Sequence, residues 1–315
     1  MRALPSLRQL RYLIALAEHL HFTKAAESCF VTQSTLSAGI KELEELLGPA
    51  LVERDRHSVQ FTEAGSLVVA RARELIAATE DLVEEARVLA APMQGILRLG
   101  AIPTIAPFLL PPLLTELRSA EPDLKFALRE DMTANLLDRL RSGHLDLALI
   151  ALPVDVSGLQ VKPLFEDELW LVGPMQDPAL KARHEIRPND WSDRLLLLEE
   201  GHCLREHALA ACAARDKLRA DEIAATSLFT LLQMVESGLG LALIPELAIR
   251  AGILTGNTLR ARALPQAPTR EIALVSRKTN PRATEAALIA DFLMRWRKRQ
   301  KALPRKRTMH SVAAD

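Results

Sequence analysis

The sequence predicts an α/β protein with a small, mostly helical front, and three observations predict it. From Ile96 onward, short apolar runs alternate with helical patterns, as expected for a sheet covered by helices. Before that point, Ser66–Leu89 contains no Pro or Gly and places Leu, Val and Ile three and four residues apart, which marks one long helix. The chain has 315 residues, of which 49% are hydrophobic, enough for two or three domains with cores of their own. Aromatic residues are only 4%, so Leu, Ala, Val and Ile must fill those cores.

Composition also excludes several classes. Lys plus Arg and Asp plus Glu number 40 each, so net charge gives no argument for a nucleic-acid partner. Three cysteines do not make a disulfide scaffold. The apolar run Tyr12–Ala17 is too short for a signal-peptide core, and Glu18-His19 closes it without a cleavage site. The stretch ILRLGAIPTIAPFLLPPLL is broken by Arg98, Pro103, Pro107, Pro111 and Pro112, so no membrane span is expected. A cytoplasmic protein with no membrane partner follows.

In order, Leu7, Leu10, Leu13, Ile14 and Leu16 give a first helix. Thr23 can cap a second, KAAESC, and Thr32 a third, QSTLSAGIKELEELLG, which Gly48-Pro49 stops. LVERDRHSVQF reads as a short β-hairpin. The long helix runs from Thr62 to about Leu89, and Ala90-Ala91-Pro92 ends it before a hinge at MQG. Strands are then expected at ILRLGAI, LKFALRED, LDLALIAL, ELWLVGP, LLLLEE, LGLALIP and TREIALVSRK. Helices are expected around 104–119, at Ala134–Arg141, at TSLFTLLQMVESG and at ATEAALIADFLMRWRKRQ. Such alternation implies parallel sheets with helices on both faces. The Arg- and Lys-rich tail from Arg295 reads as a solvated end.

FTKAAESCFVTQSTLSAGIKELEELLG has the layout of a helix-turn-helix, with Ala25-Ala26 small enough for close helix approach. Thr32, Gln33, Ser34, Thr35 and Ser37 would open its recognition helix, where base and phosphate contacts arise. Arg54 and Arg56 in the hairpin are placed to meet phosphate. An ordinary helical bundle fits the same pattern. Cys29 reads as a core thiol.

In the second half, Thr104 and Thr133 each follow a strand and precede a helix. They would stand at the carboxyl edge of a parallel sheet, where ligands collect; plain helix capping is the alternative. Cys203 follows LLLLEE and the turn Gly201-His202 and opens LREHALAACAAR, a good helix. A helix N-terminus there favours thiolate, and Arg205 could add to that. Cys212 would fall in the same helix, about 13–14 Å along its axis from Cys203. A disulfide needs Cα atoms within about 7 Å, so a Cys203–Cys212 bond and this helix exclude one another, as a redox switch requires. Incidental buried cysteines, a metal site of His202, Cys203, His207 and Cys212, and a peroxidase-like enzyme remain open readings. Zinc spacings are absent, so no metal is expected.

AAESCFVTQSTLSAGIKELEELLGPALVERDRHSVQFTEAG resembles the winged helix-turn-helix of LysR-type transcriptional regulators. The likeness covers nearly the whole chain. It implies a DNA-binding domain over 1–61, a dimerising linker helix and hinge over 62–92, and a two-lobed, periplasmic-binding-protein-like α/β effector domain over 93–301. Lobe I would be 93–166 plus 270–301, lobe II 167–269, and 302–315 a basic, flexible tail. LEEGHCLREHALAAC is further similar to the redox loop of the hydrogen peroxide-sensing members of that family. That resemblance implies that Cys203 is peroxidatic and Cys212 resolving, that Thr104, Thr133 and His202 bind peroxide, and that Arg270 activates the thiolate. Glu206 and His207 depart from the pattern. The implied partners are promoter DNA, hydrogen peroxide, RNA polymerase, thioredoxin- or glutaredoxin-type reductants, and copies of the chain in a homotetramer built as a dimer of dimers. No cofactor and no enzymatic turnover are expected. A metabolite-responsive regulator without redox switching and a thiol peroxidase are the alternatives.

Overall fold

The structure is a computed structural model describing residues 4–54, 59–91, 93–181, 187–211, 224–264 and 268–302. The chain forms two compact units, the first of Met1–Ala90 with Arg141–His144 and the second of the remainder from Ala91.

In the first unit, Ser6 and Gln9 form a reciprocal capping box that starts α1, Leu7–His19. The second helix, α2 (Phe22–Ser28), is capped by the His21 side chain. Thr23, expected in that role, lies inside the helix instead, because the chain enters α2 two residues earlier. Cys29 is the residue that ends α2 and is half-buried rather than mid-helix. Thr32 caps α3 (Gln33–Leu47) by accepting from the Thr35 N–H at 3.3 Å. Leu13, Leu16, Ala25, Leu36, Ile40 and Leu43 form the core of this three-helix group. The hairpin pairs β1 (Val52–Arg54) with β2 (Val59–Phe61). Thr62 then opens α4 (Glu63–Ala90), its hydroxyl accepting from the Gly65 N–H at 2.9 Å. A Cβ on Gly65 would lie 2.0 Å from the Leu51 carbonyl oxygen, so only glycine lets the helix start against the hairpin.

The second unit runs β3 (Gly95–Ala101), α5 (Ala106–Ala120), β4 (Leu124–Glu130), α6 (Thr133–Arg141), β5 (Leu147–Leu152) and β6 (Leu159–Pro174). It continues with α7 (Pro178–Lys181), β7 (Leu197–Leu198), α8 (Cys203–Ala211), β8 (Ala224–Ala225), α9 (Leu228–Glu236), β9 (Ala242–Pro245) and α10 (Glu246–Arg250). β10 (Leu259–Ala263), β11 (Thr269–Arg277) and α11 (Ala283–Ala302) complete it. Two hydrophobic clusters fill this unit. One holds Leu99, Ile105, Leu136, Leu149, Ile289 and Phe292. The other holds Leu171, Trp191, Leu197, Leu204, Leu231 and Leu243. Phe108 packs against both.

The sheet corrects the expectation of parallel pairing throughout. β3 pairs in parallel with β4 and β5, and β7 with β8. By contrast β11 runs antiparallel to β5 and β6, and β6 antiparallel to β9 and β10. Strand and helix alternate along the sequence, but β11 returns from the far end of the chain, and alternation carries no information about its direction. ELWLVGP, expected as a strand by itself, is the second half of the 16-residue β6. The first half carries Lys162, Pro163 and Glu166, which disguise it as a loop.

Candidate functional site: a thiol pocket at the ends of β3, α6 and α8

Ile102, Pro103, Thr104, Met132, Thr133, Gly201, His202 and Cys203 line one small pocket. Thr104 comes from the turn between β3 and α5, Thr133 is the first residue of α6, and Cys203 the first residue of α8. Gly201, at φ 91°, makes the turn that brings α8 to the pocket. Thr104 and Thr133 follow the parallel neighbours β3 and β4 at the same edge of their sheet, and Cys203 joins them from the separate two-stranded sheet of β7 and β8.

Thr104 is 2% exposed, and it is not a helix cap. Ile105 occupies that position without a side-chain bond. The Thr104 hydroxyl instead accepts from Arg270 Nη1 at 2.7 Å, while Arg270 Nη2 donates to the Thr104 carbonyl at 3.1 Å. Arg270 is buried in β11. Its Nε and Nη2 donate to Asp167 Oδ2 at 3.2 and 3.1 Å. Asp167 and Arg270 stand directly opposite one another across β6 and β11, which is why they meet. Sequence reading missed Asp167: nothing local distinguishes it, and only strand register pairs it with Arg270.

Burial pushes the Cys203 thiol up from its ordinary value, and this outweighs the Arg270 cation and the Thr133 hydroxyl, both of which favour thiolate. The helix end and the cation favour thiolate as the sequence implies, but removal from water costs the anion more than these neighbours return. Arg205 Nη1 donates to the Leu198 carbonyl at 3.1 Å, holding β7 to α8, and the cation that acts on the thiol is Arg270. Burial likewise pushes His202 down, against the Thr226 backbone and Glu199, which favour its charged form. Thr133 Oγ1 and His202 Nε2 are buried without a standard hydrogen bond. His207, one turn along α8, bonds the Leu152 carbonyl through Nε2 at 2.8 Å. Cys212 lies outside the described residues, as does Arg56. No group of three or more metal-ligating side chains occurs among the described residues.

In the first unit, Thr32, Gln33, Ser34 and Thr35 are exposed together at the start of α3, and Ser37 is half-buried. Thr32 Oγ1 lies 2.9 Å from Ser34 Oγ and 2.8 Å from Thr35 Oγ1, so the hydroxyls form one polar cluster. The backbone of Arg54 lies in β1. Among the described residues, no helix is long and apolar enough to cross a membrane.

A winged helix-turn-helix, a long helix and an α/β domain with a buried pocket define a DNA-binding transcription regulator with an effector domain. Residues 7–66 match the bacterial regulatory helix-turn-helix proteins of the lysR family, and residues 90–298 match the LysR substrate binding domain; the chain belongs to the LysR family of transcriptional regulators. It is 47% identical to the HTH-type transcriptional regulator EstR of Acinetobacter baylyi, covering 94% of this chain and 98% of that one. It is 38% identical to the DNA-binding transcriptional dual regulator OxyR of Escherichia coli, covering 91% and 94%. Among solved structures, it is similar to a full-length cysteine-to-aspartate variant of OxyR from Pseudomonas aeruginosa. That match has a TM-score of 0.70 and 33% identity, over 92% of this chain and 98% of that one. A hydrogen peroxide-bound cysteine-to-serine variant of OxyR from Corynebacterium glutamicum matches at TM-score 0.63 and 31% identity, over 95% of each chain. The fold expected from the sequence is therefore the fold of this family: winged helix-turn-helix, linker helix and two-lobed, periplasmic-binding-protein-like effector domain.

Proposed function

We propose that this protein is a cytoplasmic, hydrogen peroxide-sensing regulator of the OxyR kind, a sensor and not an enzyme, switched by a reversible Cys203–Cys212 disulfide. The observation that carries the reading is that two buried polar atoms without a standard hydrogen bond, Thr133 Oγ1 and His202 Nε2, converge beside the Cys203 thiol. A buried polar atom without a partner is costly, and a peroxide molecule, with two donors and two acceptor oxygens, satisfies both. The pocket is small, with about 170 Å³ of space between its lining atoms that is partly open to solvent, which suits a small effector. The peroxide-bound OxyR relative supports the same reading.

In this mechanism Arg270 and the α8 N-terminus stabilise the Cys203 thiolate. The sulfur attacks one peroxide oxygen, the O–O bond breaks, and hydroxide leaves and takes a proton to become water. Cys203 is then a sulfenic acid. The Cys212 sulfur attacks Cys203, forming the S–S bond and releasing water. While α8 persists, Ala211 Cα lies about 12 Å along the axis from Cys203 Cα, and one peptide step covers about 3.8 Å, so Cys212 comes no nearer than about 8 Å. That exceeds the roughly 7 Å limit for a disulfide, so α8 must unwind and lose the His207–Leu152 bond. Lobes of 93–166 plus 270–301 and of 167–269 would carry that change to a dimer of dimers and to RNA polymerase. Thr32, Gln33, Ser34, Thr35 and Ser37 would read promoter DNA, Arg54 and Arg56 would hold phosphate, and thioredoxin- or glutaredoxin-type reductants would reset the disulfide.

One equivalent of peroxide followed by peptide mapping tests this. A Cys203–Cys212 linkage is expected, with Cys212→Ser halting at the sulfenic acid and Cys203→Ser unresponsive. The EstR relative, whose name carries no peroxide, favours a second reading with a different effector. No linkage, together with a wild-type response of Cys212→Ser, would refute the disulfide switch and leave that reading in its place.

A further inference from the structure

We propose that Asp167 is a positioning residue of the thiol pocket, which fixes the guanidinium of Arg270 against Thr104 and limits how strongly that cation acts on Cys203. The inference rests on Cys203 as the reactive thiol and adds what governs it. Asp167 is fully buried. Its Oδ2 accepts from Arg270 Nε and Nη2, and its Oδ1 accepts from the Leu247 N–H at 2.9 Å. Arg297 Nη2 of α11 lies 3.6 Å from the same Oδ1 and donates to Glu246 Oε2 at 2.7 Å. Arg250 Nε donates to the other Glu246 oxygen at 2.7 Å. Burial pushes the Glu246 carboxyl up, but Arg250 and Arg297 together hold it below its usual range, so it remains an anion.

The buried line therefore runs from Arg250 through Glu246, Arg297, Asp167 and Arg270 to Thr104. Two carboxylates serve three guanidinium groups, and Arg270 is the one at the pocket end of the line. The cation acting on Cys203 is Arg270. The neighbouring titratable groups are His202, on the same turn, and Glu199, which acts on His202. Without Asp167, Thr104 still grips Arg270 through its hydroxyl and its carbonyl. The guanidinium stays, its counter-charge goes, and Cys203 sees more positive field.

This fixes a sign that a purely structural role does not. Loosening the pocket by either partner would move Cys203 in one direction. Loss of charge moves it in opposite directions: Asp167→Asn toward thiolate, Arg270→Gln toward thiol. The test is the pH profile of Cys203 alkylation by iodoacetamide in the full-length reduced protein, read by peptide mapping so that Cys29 and Cys212 do not contribute. Asp167→Asn should shift the profile to lower pH, with alkylation at neutral pH about threefold faster for each half unit, and Arg270→Gln should shift it to higher pH. If Asp167→Asn folds poorly, the paired variant Arg270→Gln with Asp167→Asn replaces the ion pair by two amides. It should titrate below Arg270→Gln alone. An unchanged or upward profile for Asp167→Asn, or a paired variant no lower than Arg270→Gln, overturns the proposal. Alkylation needs no peroxide, so opposite shifts in a protein that peroxide does not oxidise would refute the peroxide reading and leave this one standing.

Discussion

At the scale of single residues, Thr104 and Thr133 look alike in the sequence and differ in the structure. Thr104 is bound twice by Arg270, whereas Thr133 Oγ1 has no standard partner. Thr104→Val should leave the buried Arg270 Nη1 unsatisfied and cost about 1–3 kcal/mol in chemical denaturation. Thr133→Val removes a hydroxyl whose neighbour is the Cys203 thiol and should leave stability near wild type, yet slow Cys203 oxidation in stopped-flow measurements with peroxide. Equal stability losses would contradict this division of roles. The thiol itself makes a pH prediction. Burial raises the folded-state pKa of Cys203, so above about pH 8.5, the unfolded value, the unfolded chain releases a proton that the native state keeps. Stability is therefore fully present below that pH and falls as pH rises. Cys203→Ser should flatten this decline relative to wild type in thermal melts between pH 8 and 10.

At the scale of elements, the start of α3 combines a cap with a polar surface. Thr32→Ala should cost about 1 kcal/mol through loss of the cap and weaken operator binding, since Gln33, Ser34 and Thr35 sit on the turn it fixes. A denaturation midpoint and a gel-shift titration measure the two effects separately. The junction of β1 and α4 depends on one missing methyl group. Gly65→Ala would place a Cβ 2.0 Å from the Leu51 carbonyl oxygen, and backbone atoms on both sides cannot move apart cheaply. Its cost should exceed the roughly 1 kcal/mol by which alanine ordinarily favours a helix, so the variant should be less stable despite its better propensity. For α8, amide exchange should be slow along Cys203–Ala211 in the reduced protein and fast after peroxide treatment, because the disulfide and the helix exclude one another.

At the scale of the whole chain, much was legible in advance. The helix-turn-helix, the linker helix and the alternating second half were all readable, because each rests on local periodicity and capping chemistry. Thr32 is the cap its position implies, and Cys203 does open a helix after a glycine turn. The LysR-type likeness carried by residues 25–65 extends, in the family matches, to nearly the entire chain.

What the sequence by itself determined is therefore the family and the set of residues worth testing: local pattern encodes helices, caps and motif spacing. Strand direction, the union of β6 into one long strand, and the electrostatics of the pocket were decided only by tertiary structure. Asp167 is an acid before an apolar run until register sets it opposite Arg270. Arg205 and Arg270 are equal candidates in the sequence until packing gives Arg205 a bond to the Leu198 carbonyl and makes Arg270 the cation that acts on the thiol. The thiol looks acidic from its helix position until burial outweighs the helix end and the cation together. Register, side-chain direction and desolvation depend on residues distant in the chain, and no window of sequence contains them.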